Sequence, residues 1–318
     1  MCALNHLPVR PRNHGNPKRW LKIAVKQVDA YTETPLTGNP AGVVSDAAGL
    51  TDQQMEAIAR EIAVPATAFI LPPSAAAAHV QIRWYTPHGE LPFCDHGTIA
   101  SFHALAEEGM LGMERAGIYH FDTETKSGIV PVRVEKRSDT TECYFGLPIP
   151  EFIRAGQFKL DAMRLLNIAL EEFENRMPVV VAGNLYVPIR RLHTIFSMKP
   201  NFFALSQFLE NKNLTGLCAF TLETVERTSG VHSRYFAPST GANEDPVTGA
   251  SNGPLAVYLF ERGELQAVDG VVSLIGEQGD VIGRKGRVAI KLAVKGTEVM
   301  SLEVGGRAVT SFRGDMFY

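Results

Sequence analysis

Arg83-Trp84-Tyr85-Thr86-Pro87, followed seven positions on by Cys94, returns as Arg234-Tyr235-Phe236-Ala237-Pro238, followed seven positions on by Asp245. Over 83–101 and 234–252 the two copies read as one motif without a gap. Each is an aromatic strand ending at proline, then a glycine-containing loop, then a run of small residues that opens a helix. A duplicated unit with one proton-transfer group per copy, Cys94 and Asp245, implies a site between two similar lobes. There a proton can be moved on a small substrate without a metal or an organic cofactor.

The elements around each copy repeat as well. Ile23 to Tyr31 and Ala41 to Val44 alternate as strands around the Gly38-Asn39-Pro40 turn. Thr51-x-x-Gln54 is a capping-box pattern, and Met55, Ile58, Ala59 and Ile62 recur at helical spacing up to Pro65. Ala68 to Leu71 and Val80 to Tyr85 are strands, and Thr98 to Glu108 is a helix. The second half gives strands at Pro178 to Ala182, Tyr186 to Ile189, Leu217 to Leu222 and His232 to Phe236. Its helices are Phe202 to Leu209 and Ala250 to Phe260, and Gly183-Asn184 repeats Gly38-Asn39. The period is far too long for a solenoid. Both helices after the loops are apolar nearly all round, so each is enclosed. The expected fold is α+β, with two pseudo-symmetric lobes, each a curved, mainly antiparallel sheet around a central helix. The expected layout is a flexible tail over 1–20, a first lobe over 21–135 completed by about 300–318, and a second lobe over 136–299.

Composition narrows the function. With 45% apolar and 20% charged residues the chain has ordinary globular composition, enough at 318 residues for two cores. A net charge of −3 supplies no attraction for nucleic acid or an anionic membrane. No apolar run approaches the roughly 20 residues of a membrane span. The four cysteines, Cys2, Cys94, Cys143 and Cys218, show no zinc spacing, which suits a reduced, cytoplasmic setting. No HExxH, GxGxxG or P-loop pattern is present, so no metal or cofactor is expected.

Cys94 stands at a helix start, where the dipole favours a thiolate, and His96 is close enough in sequence to help. The alternative is a small buried hydrophobe. Asp245, taken alone, reads as a turn or capping residue; its register with Cys94 makes it the second proton carrier. Gly97, Thr98, Thr248, Gly249 and Ala250 bring backbone N–H groups to the two helix starts, suited to a substrate carboxylate or simply to close packing. Asn39 and Asn184 reach a ligand from matching turns, or form Asx turns. His88 and Glu90 read as exposed loop residues and His103 as a core histidine.

These segments together resemble the PhzF-like phenazine-biosynthesis isomerase family, of the diaminopimelate-epimerase fold, from about Val25 to the C-terminus. The resemblance is carried by Gln27-Val28-Asp29-Ala30-Tyr31, Gly38-Asn39-Pro40-Ala41-Gly42-Val43-Val44, Ile58-Ala59-Arg60-Glu61 and the two loop motifs. The latter run on into Leu91-Pro92-Phe93-Cys94-Asp95-His96-Gly97-Thr98 and Glu244-Asp245-Pro246-Val247-Thr248-Gly249, with Gln278-Gly279 and Gly283-Arg284 beyond. It implies a cleft between lobes, no cofactor and a homodimer. It also implies an acid/base glutamate just before the Thr-Ala-Phe strand, where this chain has Ala66 in Pro65-Ala66-Thr67-Ala68-Phe69. Cys94 stands in place of a small residue, Asp95 in place of glycine, and Ala250 in place of serine.

The expected function is a cofactor-independent isomerase or epimerase moving a proton on a small carboxylate-bearing metabolite. Cys94 and Asp245 would exchange the proton and His96 would tune Cys94. The alternative is a binding protein of the same fold that has lost catalysis through Ala66. A Cys94–His96 hydrolase is a third reading, which lacks an evident orienting group.

Overall fold

The computed structural model describes residues 21–318, and the tail expected over 1–20 lies outside them. The first half runs β1 (Lys22–Ala30), β2 (Asn39–Val44), α1 (Asp52–Ile62), β3 (Ala66–Leu71), β4 (Val80–Thr86) and β5 (Gly89–Leu91). It continues with α2 (Asp95–Glu107), β6 (Gly117–Thr125), β7 (Gly128–Lys136) and β8 (Thr141–Leu147). The second half runs β9 (Ile153–Arg154), α3 (Lys159–Leu166), β10 (Val180–Ala182), β11 (Asn184–Pro188), α4 (Leu192–Ser197) and α5 (Phe202–Lys212). Then come β12 (Leu217–Thr221), β13 (Val231–Ala237), β14 (Ala242–Asp245) and α6 (Gly249–Glu261). β15 (Val271–Gln278), β16 (Gly286–Lys295) and the long β17 (Glu298–Phe317) close the chain.

The halves pair their strands by one scheme. β2 is parallel to β3, β3 antiparallel to β4, and β4 parallel to β6, with β7 and β8 following antiparallel. β11 is parallel to β12, β12 antiparallel to β13, and β13 parallel to β15, with β16 and β17 following antiparallel. Two parallel steps at matching places are the mark of a duplicated unit. β17 is shared: it pairs first with β16, then with β8, and finally along β1.

Local chemistry sets the boundaries. At α1 the Gln54 N–H donates to Thr51 Oγ1 at 3.3 Å and the Thr51 N–H to Gln54 Oε1 at 2.9 Å, the expected capping box. The helix ends at Ala63, in the left-handed region, before Pro65. α2 is buried on almost every side against β1, β2, β3, β8 and β17, and α6 against β15, β16 and β17. Their lack of a polar face follows from that enclosure.

A carboxylate braces the corresponding loop in each half. Glu124 accepts from Ser74 N, Ala75 N and Gln81 Nε2 at 2.7, 2.9 and 3.0 Å. Glu277 accepts from Val225 N, Glu226 N and His232 Nδ1 at 2.8, 2.7 and 2.9 Å. Gln81 lies beside Glu124 in the β4–β6 register, and His232 beside Glu277 in the β13–β15 register.

Strand register overturns the gapless reading of the motif. Leu91 lies opposite Trp84, and Asp245 opposite Tyr235. Since Trp84 and Tyr235 correspond, Asp245 is the counterpart of Leu91, not of Cys94. The arginines agree: Arg83 Nε meets Glu90 at 2.7 Å, and Arg234 grips Glu244 at 2.8 and 2.7 Å. α2 begins eight positions after Pro87, whereas α6 begins eleven after Pro238. The extra length is a tight turn over Pro238–Thr240 that ends at Gly241 with φ +100°. The true counterpart of Cys94 is Thr248, the residue capping α6.

Candidate active site

At the start of α2, Cys94 has extended backbone and its side chain caps nothing. Thr98 closes the first helical turn, its hydroxyl and N–H both donating to the Cys94 carbonyl at 2.7 and 2.9 Å, while the free His96 N–H is taken by Asp95. The sulfur is therefore left for other partners. It lies 3.6 Å from His96 Nδ1 and 3.7 Å from Nε2. A sulfur nearly equidistant from both nitrogens is in line with neither N–H. Gly97 is required by packing, since a Cβ there would stand 2.6 Å from the Trp84 ring and 3.0 Å from the sulfur.

Between these residues sits an acid that the sequence marked only as a departure from glycine. Asp95 Oδ1 accepts the His96 N–H at 2.6 Å and lies 3.3 Å from His96 Nδ1. Its Oδ2 accepts the Ala250 N–H from the start of α6 at 2.8 Å. Burial opposes ionisation of Asp95, but the His96 side chain and the two backbone N–H groups outweigh it and hold the carboxyl below its usual range. Burial likewise opposes charging of His96, but Cys94 and Asp95 outweigh it and hold the imidazole well above its usual value. An imidazolium–carboxylate pair beside the Cys94 sulfur results. The orienting group that the sequence did not reveal for His96 is thus Asp95.

At the start of α6, Asp245 reaches in from the end of β14. Its Oδ1 accepts from Asn39 Nδ2 at 2.8 Å, and its Oδ2 from the Thr248 hydroxyl. Asn39 also donates to the Val247 carbonyl at 2.8 Å. Gln278 holds this loop in place: its Nε2 donates to the Asp245 carbonyl at 2.9 Å, and its Oε1 accepts the Thr248 N–H at 3.1 Å. Burial pushes the Asp245 carboxyl up to about 6, with His96 opposing and the charge of Asp95 adding to the rise. A carboxyl in that range both gives and takes a proton near neutrality.

The expected anion site is corrected by where its donors go. Thr98 N–H serves the Cys94 carbonyl, Thr248 N–H serves Gln278, and Ala250 N–H serves Asp95. Among the described residues only Gly97 and Gly249, of the five expected, keep an N–H without a protein partner. Asn184 is not a second Asn39: its Oδ1 accepts from the Tyr235 hydroxyl at 2.8 Å within its own half. Ala66 is completely buried in β3 opposite Ala41. Glu90, expected as an exposed loop residue, is partly buried and paired with Arg83 and Lys126. His103 lies 3.6 Å from Glu107, beyond hydrogen-bond range.

Cys94, Asp95 and His96 bring potential metal-ligand atoms within 4.8 Å of one another. Each Asp95 oxygen there also accepts one backbone N–H, from His96 and from Ala250. A cavity of about 1090 Å³ lies elsewhere, lined by Phe93, Val132, Leu147 and Leu302, and includes neither Cys94 nor Asp245. No helix among the described residues is long and apolar enough to cross a membrane.

Solved structures share this architecture. A Bacillus anthracis phenazine biosynthesis protein of the PhzF family superposes with a TM-score of 0.83 at 31% identity, covering 94% of this chain and all of that one. A hydroxyproline epimerase from Agrobacterium vitis superposes with a TM-score of 0.57 at 13% identity over 95% of this chain and 93% of its own, a likeness of fold alone. The fold is therefore one that PhzF-family proteins share with epimerases. In sequence, an uncharacterized isomerase of Clostridium acetobutylicum is 34% identical over 93% of this chain and 98% of its own length. The model of the phenazine biosynthesis-like protein family, PhzC-PhzF, matches residues 28–314. The chain belongs to that family, as the resemblance read from its motifs implied.

Proposed function

We propose that this family member is an isomerase of the epimerase type that moves a proton on a small carboxylate-bearing metabolite, using only its own side chains on a diaminopimelate-epimerase-like scaffold. Cys94 takes a proton from one face of an activated carbon, and the Asp245 carboxyl then gives one to the other face. The charge left on the substrate between these steps is balanced by the His96 imidazolium. The substrate carboxylate sits outside the gap between the helix starts, which Asp95 fills. The protein works as a homodimer in the cytoplasm.

The observation that carries this reading is Asp245 itself. Its carboxyl is held by Asn39 from one half and Thr248 from the other, feels the charges of His96 and Asp95, and titrates near 6. The test is deuterium incorporation from D2O into a panel of small amino acids and cyclic acids. Cys94→Ser and Asp245→Asn should each slow exchange at least about 100-fold, the typical contribution of one acid–base group. Undiminished exchange in either variant removes that residue from the mechanism. A second reading, a ligand-binding member without catalysis, is favoured by Ala66 in the place of the acid/base glutamate. It requires ligand-induced thermal stabilisation with no exchange at any pH.

A further inference from the structure

We propose that Asp95 determines the specificity of this site: its carboxylate occupies the anion position between the starts of α2 and α6, so the substrate presents a cationic or hydrogen-bond-donating group beside Cys94 rather than a carboxylate. This deepens the proton-transfer reading and rests on it in one respect, that Cys94 meets the substrate.

Helix starts attract anions because their first N–H groups are unpaired and the dipole is positive there. Here one side chain spans both starts, with Oδ1 on His96 N at 2.6 Å and Oδ2 on Ala250 N at 2.8 Å, and its negative charge stands in front of the Gly97 and Gly249 N–H groups left free. Asp95 is only 7% exposed, so water and salt screen its charge poorly against an arriving anion. The surrounding side chains independently ask for a donor. Asn39 Oδ1 is buried and accepts nothing, although its amide nitrogen holds Asp245. The Tyr31 hydroxyl is also buried without a partner, on a residue 1% exposed. Tyr31 has φ +64°, a left-handed backbone that bulky residues rarely adopt. Its hydroxyl lies over Gly249, where an added Cβ would collide with it and stand 3.1 Å from Asp95 Oδ2. Asn39 Oδ1 and the Tyr31 hydroxyl are thus left unfilled beside two carboxylates, Asp95 and Asp245, against the one imidazolium of His96. An ammonium group, with three donors and no acceptor, matches them.

The test needs no substrate. Cys94 in the full-length protein is alkylated with three small reagents of charge +1, 0 and −1: 2-bromoethylammonium, iodoacetamide and iodoacetate. In each reaction the sulfur displaces the halide. Rates come from mass spectrometry of the Cys94 peptide, with Cys94→Ser as blank, and each is divided by the rate with glutathione. In the wild type, normalised iodoacetate alkylation should be at least tenfold slower than iodoacetamide, and 2-bromoethylammonium faster than both. Asp95→Asn, which keeps the shape, and Asp95→Gly should each raise the iodoacetate rate relative to iodoacetamide at least tenfold. Equal normalised rates in the wild type overturn the proposal even if both variants fail to fold. So does an unchanged ratio in folded variants, or a Cys94 that no reagent reaches in the native protein. Loss of the charge preference with deuterium exchange intact sinks this inference alone. Absent exchange with the charge preference intact sinks only the isomerase reading.

Discussion

The side-chain amide of Asn39, at the start of β2, donates to the Asp245 carboxylate at the end of β14 across 2.8 Å, joining the two halves of the molecule at the proposed proton-transfer group. Asn39 and Asp245 are 206 positions apart. The bond stabilises the ionised carboxylate, so it competes directly with the burial that pushes Asp245 up to about 6.

Asn39→Ala removes that donor. A hydrogen bond to a charged group contributes about 1.5–3 kcal/mol, and each pKa unit corresponds to about 1.4 kcal/mol. With water replacing part of the loss, the Asp245 carboxyl should titrate about one unit higher than in the wild type. Carbon-13 NMR of the carboxyl group measures this, and the acid limb of the exchange rate should move with it. A titration that stays in place would make Asn39 a packing residue only.

The raised Asp245 pKa also fixes a sign for stability. The folded protein binds this proton more tightly than the unfolded chain, whose Asp titrates near about 3.9. Its stabilising contribution is therefore complete below that value and is lost as pH rises through about 6. Asp245→Asn should gain stability relative to the wild type on moving from pH 4 to pH 8, by on the order of 2 kcal/mol. Urea denaturation at the two pH values reads the difference. A variant whose relative stability falls between pH 4 and pH 8 contradicts the assignment.

The duplication was legible because burial constrains it. Aromatic strands, prolines and apolar helices recur wherever the same faces must be covered. The three extra residues of the second loop were not legible, because they form the turn at Pro238–Gly241, where the chain is largely exposed and little restricts sequence. A run of small residues after both loops conceals the offset, so the sequence aligns Asp245 with Cys94 where the structure aligns Thr248. Asp95 shows the other limit. Its partner is the backbone N–H of Ala250, 155 positions away, and a backbone group has no sequence signature. The only available signal is an acid where the family resemblance implies glycine.

Gln278 was visible as part of a motif, but its task is spatial. It is 1% exposed and holds four groups: the Asp245 carbonyl, the Thr248 N–H and hydroxyl, and the Asn252 side-chain amide. Gln278→Leu fits the space but strands several of these. Unpaired buried groups cost about 1–3 kcal/mol each. The expected loss is about 3 kcal/mol of stability by urea denaturation, with slower deuterium exchange as the α6 start and Asp245 lose their support. Wild-type stability in Gln278→Leu would show that water takes over the whole network.

Ala66→Glu separates an altered enzyme from a decayed one. Ala66 is completely buried in β3, beside Ala41 of β2 and within the main apolar core. A glutamate introduced there needs both room and donors. Without them its burial costs several kcal/mol, and the core must shift to admit the larger side chain. The expected result is a stability loss of about 2–4 kcal/mol with no gain in proton exchange. Ala66→Ser, a much smaller change, should lose far less. The opposite result is equally readable: a stable Ala66→Glu protein that exchanges protons faster than the wild type would mean that the cleft still has space for the missing acid. Catalysis would then have been lost at Ala66, and Cys94 and Asp245 would be left as binding residues.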